Sequence, residues 1–210
     1  MDVPRTLTNR EAIDAAVTAV GTGELVVLPT DTVYGLCATP YHEEPLRRAY
    51  ELKGRKESQP VALLAVDVDF LFECVPELRG RAGRLARALL PGALTLILPN
   101  PAERFRWLTG DRPDTIGVRV PVLPGPSAAV LRQVGAVMAT SANKHGDPDP
   151  ARLEDVPEEI RSVCAAIVDG GELPGVPSTV LDLTGPEPKV LREGAVPAER
   201  ALASAAAVPA

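Results

Sequence analysis

Short apolar runs recur along the chain, and their spacing constrains the fold more than any other feature. Residues 25–28, 61–66, 94–98, 116–120 and 136–140 are too short for buried helices and too apolar for loops, so they read as strands. Three further short runs, 166–168, 180–183 and 189–192, complete the set. Helical segments lie between them. Thr8, Asn9, Arg10 and Glu11 form a capping box ahead of Ile13, Ala16, Val17 and Val20 at helical spacing. Helices are expected over 43–53, 76–90, 126–134 and 153–164. This alternation predicts an α/β fold, and hairpin-like spacing near both ends predicts a mixed sheet. The economical reading is one domain over 1–210, with its core at 9–196 and a C-terminal helix end that frays into a tail.

Composition narrows the partners. Hydrophobic residues make up 45% of the 210, enough for a sizeable core, but aromatics only 3%, so the core must be built from Val, Leu, Ile and Ala. Few rings also argue against a stacking platform for single-stranded nucleic acid. A net charge of −6 argues against broad adhesion to phosphate backbones, while leaving room for a local basic groove. Cys37, Cys74 and Cys164 are far apart and form no CxxC pair, which speaks against a zinc site or a disulfide framework. The first residues lack a basic segment followed by an apolar run, and no stretch reaches ~18 apolar residues. A reduced, cytoplasmic protein with no membrane partner is the expectation.

Polar residues stand where strands should be plain. "PTDTVYGL" at 29–36 follows an apolar run with two threonines, an aspartate and a tyrosine. Such hydroxyls either hydrogen-bond their own backbone or face a ligand at the strand end. In "TIGVRVP", Ile116, Val118 and Val120 share one strand face while Thr115, Gly117 and Arg119 share the other. Ala139, Ser141 and Asn143 point one way as the "MATSAN" strand runs out, and Ser178 and Thr179 open another strand. Lys53, Arg55, Arg119 and Arg192 all flank strand ends beside Ser, Thr or Gly, which suggests an anion site assembled from separate segments. No GxxxxGK[ST] loop, GxGxxG turn, HExxH pair or GxSxG elbow is present. "HGDPD" at 145–149 reads as a turn rather than a metal site, and Cys37 as a small buried side chain.

"PTDTVYGL", "LKGR", "PGALTLIL", "TIGVRVP", "ATSAN", "PSTVLDLTG" and "VLREGAV" stand in an order that resembles the YrdC-like family of threonylcarbamoyl-AMP synthases, in its short form. The resemblance implies a twisted mixed β-sheet with flanking helices and a deep ligand groove. It implies conversion of L-threonine, bicarbonate or CO2 and ATP to threonylcarbamoyl-AMP and pyrophosphate. Mg2+ would be carried by ATP, with no protein ligand assigned. The product would pass to a tRNA-modifying threonylcarbamoyl transferase complex. By the same resemblance, Thr30, Thr32, Arg119, Ala139 (through its backbone) and Ser178 would form the threonine pocket. Arg55, Gln59, Thr115, Ser141 and Arg192 would contact the nucleotide, with Lys53 and Asn143 close to the phosphates. Lys53, Arg55, Ser141 and Asn143 would carry catalysis. Lys56, Gln59, Leu64 and Cys37 depart from residues common in the family. The competing reading from another class is a double-stranded RNA- or tRNA-binding module of the same fold.

Overall fold

The computed structural model describes residues 9–209; Thr8, which opens the expected capping box, lies outside them. A nine-stranded mixed sheet runs in the order β7-β1-β2-β6-β3-β5-β4-β8-β9. The strands are β1 (Val26–Pro29), β2 (Tyr34–Ala38), β3 (Ala62–Ala65), β4 (Leu94–Pro99), β5 (Thr115–Arg119), β6 (Ala136–Ser141), β7 (Ala166–Ile167), β8 (Thr179–Asp182) and β9 (Lys189–Arg192). The β1–β7, β3–β5 and β4–β8 pairs are parallel and the rest antiparallel, so the expected mixed sheet is present.

Strand alternation divides the core in two. Val27, Leu36, Leu63, Met138, Val118 and Leu96 pack on one face with Leu71, Leu85 and Leu89 of the helices α3 (Val68–Cys74) and α4 (Gly80–Leu89). Val26, Leu28, Cys37, Leu64 and Val137 point to the other face. There Ala12, Ala16, Ala19 and Val20 of α1 (Asn9–Gly21) and Val130 and Leu131 of α5 (Gly125–Val134) cover them. The second cluster does not extend over β5, β4, β8 and β9. That part of the face carries the small or polar residues Gly117, Thr95 and Arg119 in place of apolar bulk.

Several elements differ from expectation for identifiable reasons. β2 was not anticipated: Tyr34–Ala38 pairs antiparallel with β1, so "PTDT" is a hairpin turn and not a loop leaving the sheet. The helix expected over 76–90 begins only at Gly80, and α3 precedes it, started by Asp67, whose carboxylate accepts from Phe70 N at 2.7 Å. The helix expected over 153–164 is broken by Pro157 into a 3-10 turn (Leu153–Asp155) and the short α6 (Glu158–Arg161). The segment expected to fray contains α7 (Ala198–Ala206), with Ala201 and Ala205 buried. No helix among the described residues is long and apolar enough to cross a membrane.

Candidate active site

The uncovered half of the second face holds a cavity of about 280 Å3. Its floor is made of strand residues with little or no side chain: Gly35 on β2, Ala62 on β3, Gly117 on β5 and Ala139 on β6. Gly35, Ala62 and Ala139 stand at the alternating positions that, farther along the same strands, face α1 and α5 through Cys37, Leu64 and Val137. Thr30 and Thr32 from the β1–β2 turn, Thr95 and Ile97 from β4, Ser178 before β8 and the guanidiniums of Arg55, Arg119 and Arg192 surround the floor.

Arg55 and Lys53 reach opposite sides of the chain because of the residue between them. Helix α2 (Glu43–Lys53) ends at Gly54 in the left-handed region (φ 64°, ψ 31°), which closes the last turn and reverses the chain. Arg55 then lies over the Tyr50 ring and donates to Thr140 Oγ1 at 2.7 Å and to the Pro60 carbonyl at 2.6 Å. Its Nε is buried and has no partner. Lys53 turns inward, only 4% exposed, and its ammonium donates to the Ser141 carbonyl, to the Asn143 carbonyl at 2.6 Å and to Asn143 Oδ1 at 2.9 Å. Three donors meet three acceptors, which leaves none for a ligand. Burial, and after it the Arg55 guanidinium, lowers the Lys53 pKa to about 8.

Arg119 is 9% exposed and paired. Its Nη2 donates to Asp31 Oδ1 at 2.7 Å and approaches Thr32 Oγ1 at 3.4 Å, while its buried Nε is unpartnered. Burial lowers the Arg119 pKa and raises that of Asp31, each against the pull of the other, and Arg192, in the same cavity lining, lowers Arg119 further. Arg192 donates through Nε and Nη2 to the Ser178 carbonyl at 3.2 and 2.9 Å, and through Nη2 to Ser178 Oγ at 3.3 Å. Gly194 makes this approach possible, since a Cβ there would collide with the Pro177 carbonyl. Against these cations, Asp149 is the one carboxylate in the lining. The arrangement suits a polyanion or a carboxylate.

Of the residues expected in the site, the cavity gathers Thr30, Thr32, Arg55, Arg119, Ala139, Ser141, Ser178 and Arg192. It does not gather Lys53, Gln59, Thr115 or Asn143. Thr115 donates back to the Arg112 carbonyl at 3.1 Å, and Gln59 is held through its carbonyl by Tyr50 OH at 2.6 Å. Asn143 lies behind Ser141, accepting its hydroxyl proton at 2.7 Å and donating to Asp147 O at 2.6 Å. Sequence reasoning missed Asp31, Thr95, Thr140 and Asp149. The alternation that singled out Arg119 finds Thr95 when applied to "LTLIL", where it is the polar residue between Leu94 and Leu96. Cys37 is fully buried, and desolvation pushes its thiol up to about 12, far from a reactive thiolate.

Comparison with known proteins gives this cavity a lineage. A family model described as Telomere recombination, that of the Sua5/YciO/YrdC domain, matches residues 18–194. A Mycobacterium tuberculosis protein is 36% identical over 189 residues, covering 90% of this chain and 86% of its own length. The threonylcarbamoyl-AMP synthase of Pyrococcus abyssi is 37% identical over 178 residues, covering 84% of this chain but only 52% of that protein. The crystal structure of P. abyssi Sua5 complexed with L-threonine superimposes with a TM-score of 0.81 at 34% identity, over 93% of this chain and 57% of the other. The chain therefore spans about half the length of the P. abyssi relative and most of the mycobacterial one. Topology, the extent of the match and the ordered motifs agree: the chain belongs to the Sua5/YciO/YrdC family.

Proposed function

We propose that the protein is an L-threonylcarbamoyladenylate synthase, a nucleotidyltransferase that uses L-threonine, bicarbonate or CO2 and ATP. The observation that carries this reading is a cavity lined by three guanidiniums and several hydroxyls, in a family with a threonine-bound member. The threonine amine attacks CO2 to form a carbamate. A carbamate oxygen then attacks the α-phosphorus, and the bond to the β-phosphate breaks to release pyrophosphate. Neither step needs a protein nucleophile; both need orientation and neutralised charge.

The side chains divide accordingly. Arg119 receives the threonine carboxylate, with Thr32, the Ala139 backbone and Ser178 around the amino acid. Arg55 and Arg192 take the phosphates, with Ser141 in the same lining. Lys53 and Asn143 act one layer back, fixing the Ser141 backbone and hydroxyl. Mg2+ would be carried by the triphosphate, whose oxygens the cavity guanidiniums also suit. When bound there it offsets charge on the leaving pyrophosphate. The unstable product would be handed, in the cytoplasm, to a tRNA-modifying transferase complex. An RNA-binding module would display its arginines, whereas Arg119 is buried against Asp31.

Pyrophosphate release, with ATP, threonine and bicarbonate omitted one at a time, tests the proposal. Each omission should abolish release. Release that continues undiminished without threonine would overturn it.

A further inference from the structure

The hydroxyls around the cavity are not equivalent, and counting their protons separates them. Each hydroxyl carries one proton and can accept about two hydrogen bonds. Thr30 Oγ1 donates to the Val33 carbonyl at 2.6 Å and accepts from Thr32 N and Val33 N, both at 3.2 Å. Any proton in its 3.0 Å contact with Thr32 Oγ1 must come from Thr32, as a third bond to an oxygen that already accepts from two amides. Thr30 has committed its proton to the hairpin, and Thr32, whose oxygen accepts from Arg119, stands on the side proposed for the carboxylate. Ser141 has likewise committed its own to Asn143 Oδ1. Thr140 accepts from Arg55 and keeps a proton, on the side proposed for phosphates.

Thr95 and Ser178 differ. Their hydroxyl oxygens are 2.7 Å apart, both residues are buried, and both line the cavity. One proton lies between the two oxygens, and Arg192 Nη2 supplies a further donor to Ser178. Among the described residues the second proton of the pair has no acceptor, and Thr95 Oγ1 has no partner except Ser178. The pair thus offers one donor together with free lone pairs, which is the complement of another hydroxyl. The surroundings suit a small side chain. Ile97 and Val180 are the apolar lining beside Thr95, and a Cβ on Gly117 would touch Ile97 Cδ1 at 3.4 Å and Thr95 Cγ2 at 3.9 Å. The missing side chain at Gly117 therefore leaves open the space between Thr95 and Arg119, its neighbour on the same strand face.

We propose that Thr95 is a specificity-determining residue: with Ser178 it reads the β-hydroxyl of the amino-acid substrate, while Ile97 and Val180 receive its methyl group. This rests on threonine as the substrate held by Arg119. A site that satisfies a substrate hydroxyl rejects an analogue lacking it, because the protein's own polar groups are then left unpaired.

Calorimetry with L-threonine, L-valine and L-2-aminobutyrate, beside pyrophosphate release, tests the assignment. Wild type should bind threonine far more tightly than either analogue. Thr95→Val, close in shape and favoured in a strand, should weaken threonine binding about tenfold and leave ATP affinity and binding of the two analogues nearly unchanged. Thr95→Ser should restore the preference. A Thr95→Val protein that keeps wild-type discrimination, or that loses all three amino acids equally, would overturn the inference. So would a wild type that binds threonine no better than 2-aminobutyrate. A wild type that discriminates as expected yet releases no pyrophosphate would sink the synthase reading while supporting the role of Thr95.

Discussion

Lys53 and Arg55 are two residues apart, both cationic, both flanking Gly54, and they do opposite things. The lysine end is closed: its ammonium meets the Ser141 carbonyl and both oxygens of Asn143. The same turn ties down α2, because His145 N donates to the Lys53 carbonyl and Lys144 Nζ to that of Leu52, both at 2.9 Å. These bonds satisfy carbonyls that a helix C-terminus would otherwise leave unpaired. The arginine end is open, with Arg55 and Arg119 each retaining a buried Nε without a partner. A saturated polar cluster stabilises the fold, and an unsaturated one awaits a ligand. Charge alone distinguishes neither.

The largest effect expected from this contrast is on stability. Lys53→Met takes the ammonium from the Ser141 and Asn143 carbonyls, while Asn143 Oδ1 keeps the Ser141 hydroxyl, and should cost about 3 kcal/mol, roughly 6–12 °C in Tm for a chain of this size. Thermal melting measures it. A variant that melts with wild type but no longer binds ATP would return Lys53 to the phosphates.

Next in size is a pH effect on the same residue. The folded pKa of Lys53, about 8, lies below the 10.5 of an ordinary lysine, so the unfolded chain binds more protons in that window. The titration of Lys53 should therefore raise stability with pH between the two values, by up to about 3 kcal/mol, and add no pH dependence below the lower one, where the ammonium's hydrogen bonds act alone. The difference between wild type and Lys53→Met in chemical denaturation at pH 7 and pH 10 isolates it. A difference that shrinks with pH would mean that the three oxygen acceptors hold the proton against burial.

At the open end the signature reverses. Arg55→Ala should weaken ATP binding by about 2 kcal/mol, the range of a lost charge-assisted hydrogen bond, and lower stability by less than that. Calorimetry and melting on one preparation give both numbers; a large loss of Tm with intact affinity would make Arg55 structural.

The smallest expected effect is the most selective. Arg119→Lys keeps the charge but loses the fork, and should raise the threonine requirement about tenfold, roughly 1.4 kcal/mol, with less change for ATP. If ATP binding collapses while threonine affinity is kept, Arg119 serves the phosphates.

Much of this was legible in the residues, and the failures have physical causes. Alternation placed the strands and picked out Gly117 and Arg119, because a half-covered sheet face must show its polar residues at every second position. At Thr115, at the start of β5, the hydroxyl turns back to the Arg112 carbonyl, outside the cavity lining. β2 escaped notice because "YGLCA" has no β-branched residue and a glycine. Thr30 fulfils the plain reading of "PTDT", bonding to its own turn, while Thr32 lines the cavity beside it. No pattern in "LKGR" separates an inward lysine from an outward arginine. The left-handed conformation of Gly54 does that, and it becomes visible only in three dimensions.

The cavity floor of Gly35, Ala62, Gly117 and Ala139 has a consequence for how such a site can change. The hollow exists because four side chains are nearly absent, so almost any substitution there subtracts volume, and none can add much. Ligand preference at these positions can drift toward smaller occupants by single steps. Accommodating a larger one requires the walls, Ile97 and Val180 among them, to shrink instead. A floor already at its minimum acts as a ratchet on substrate size.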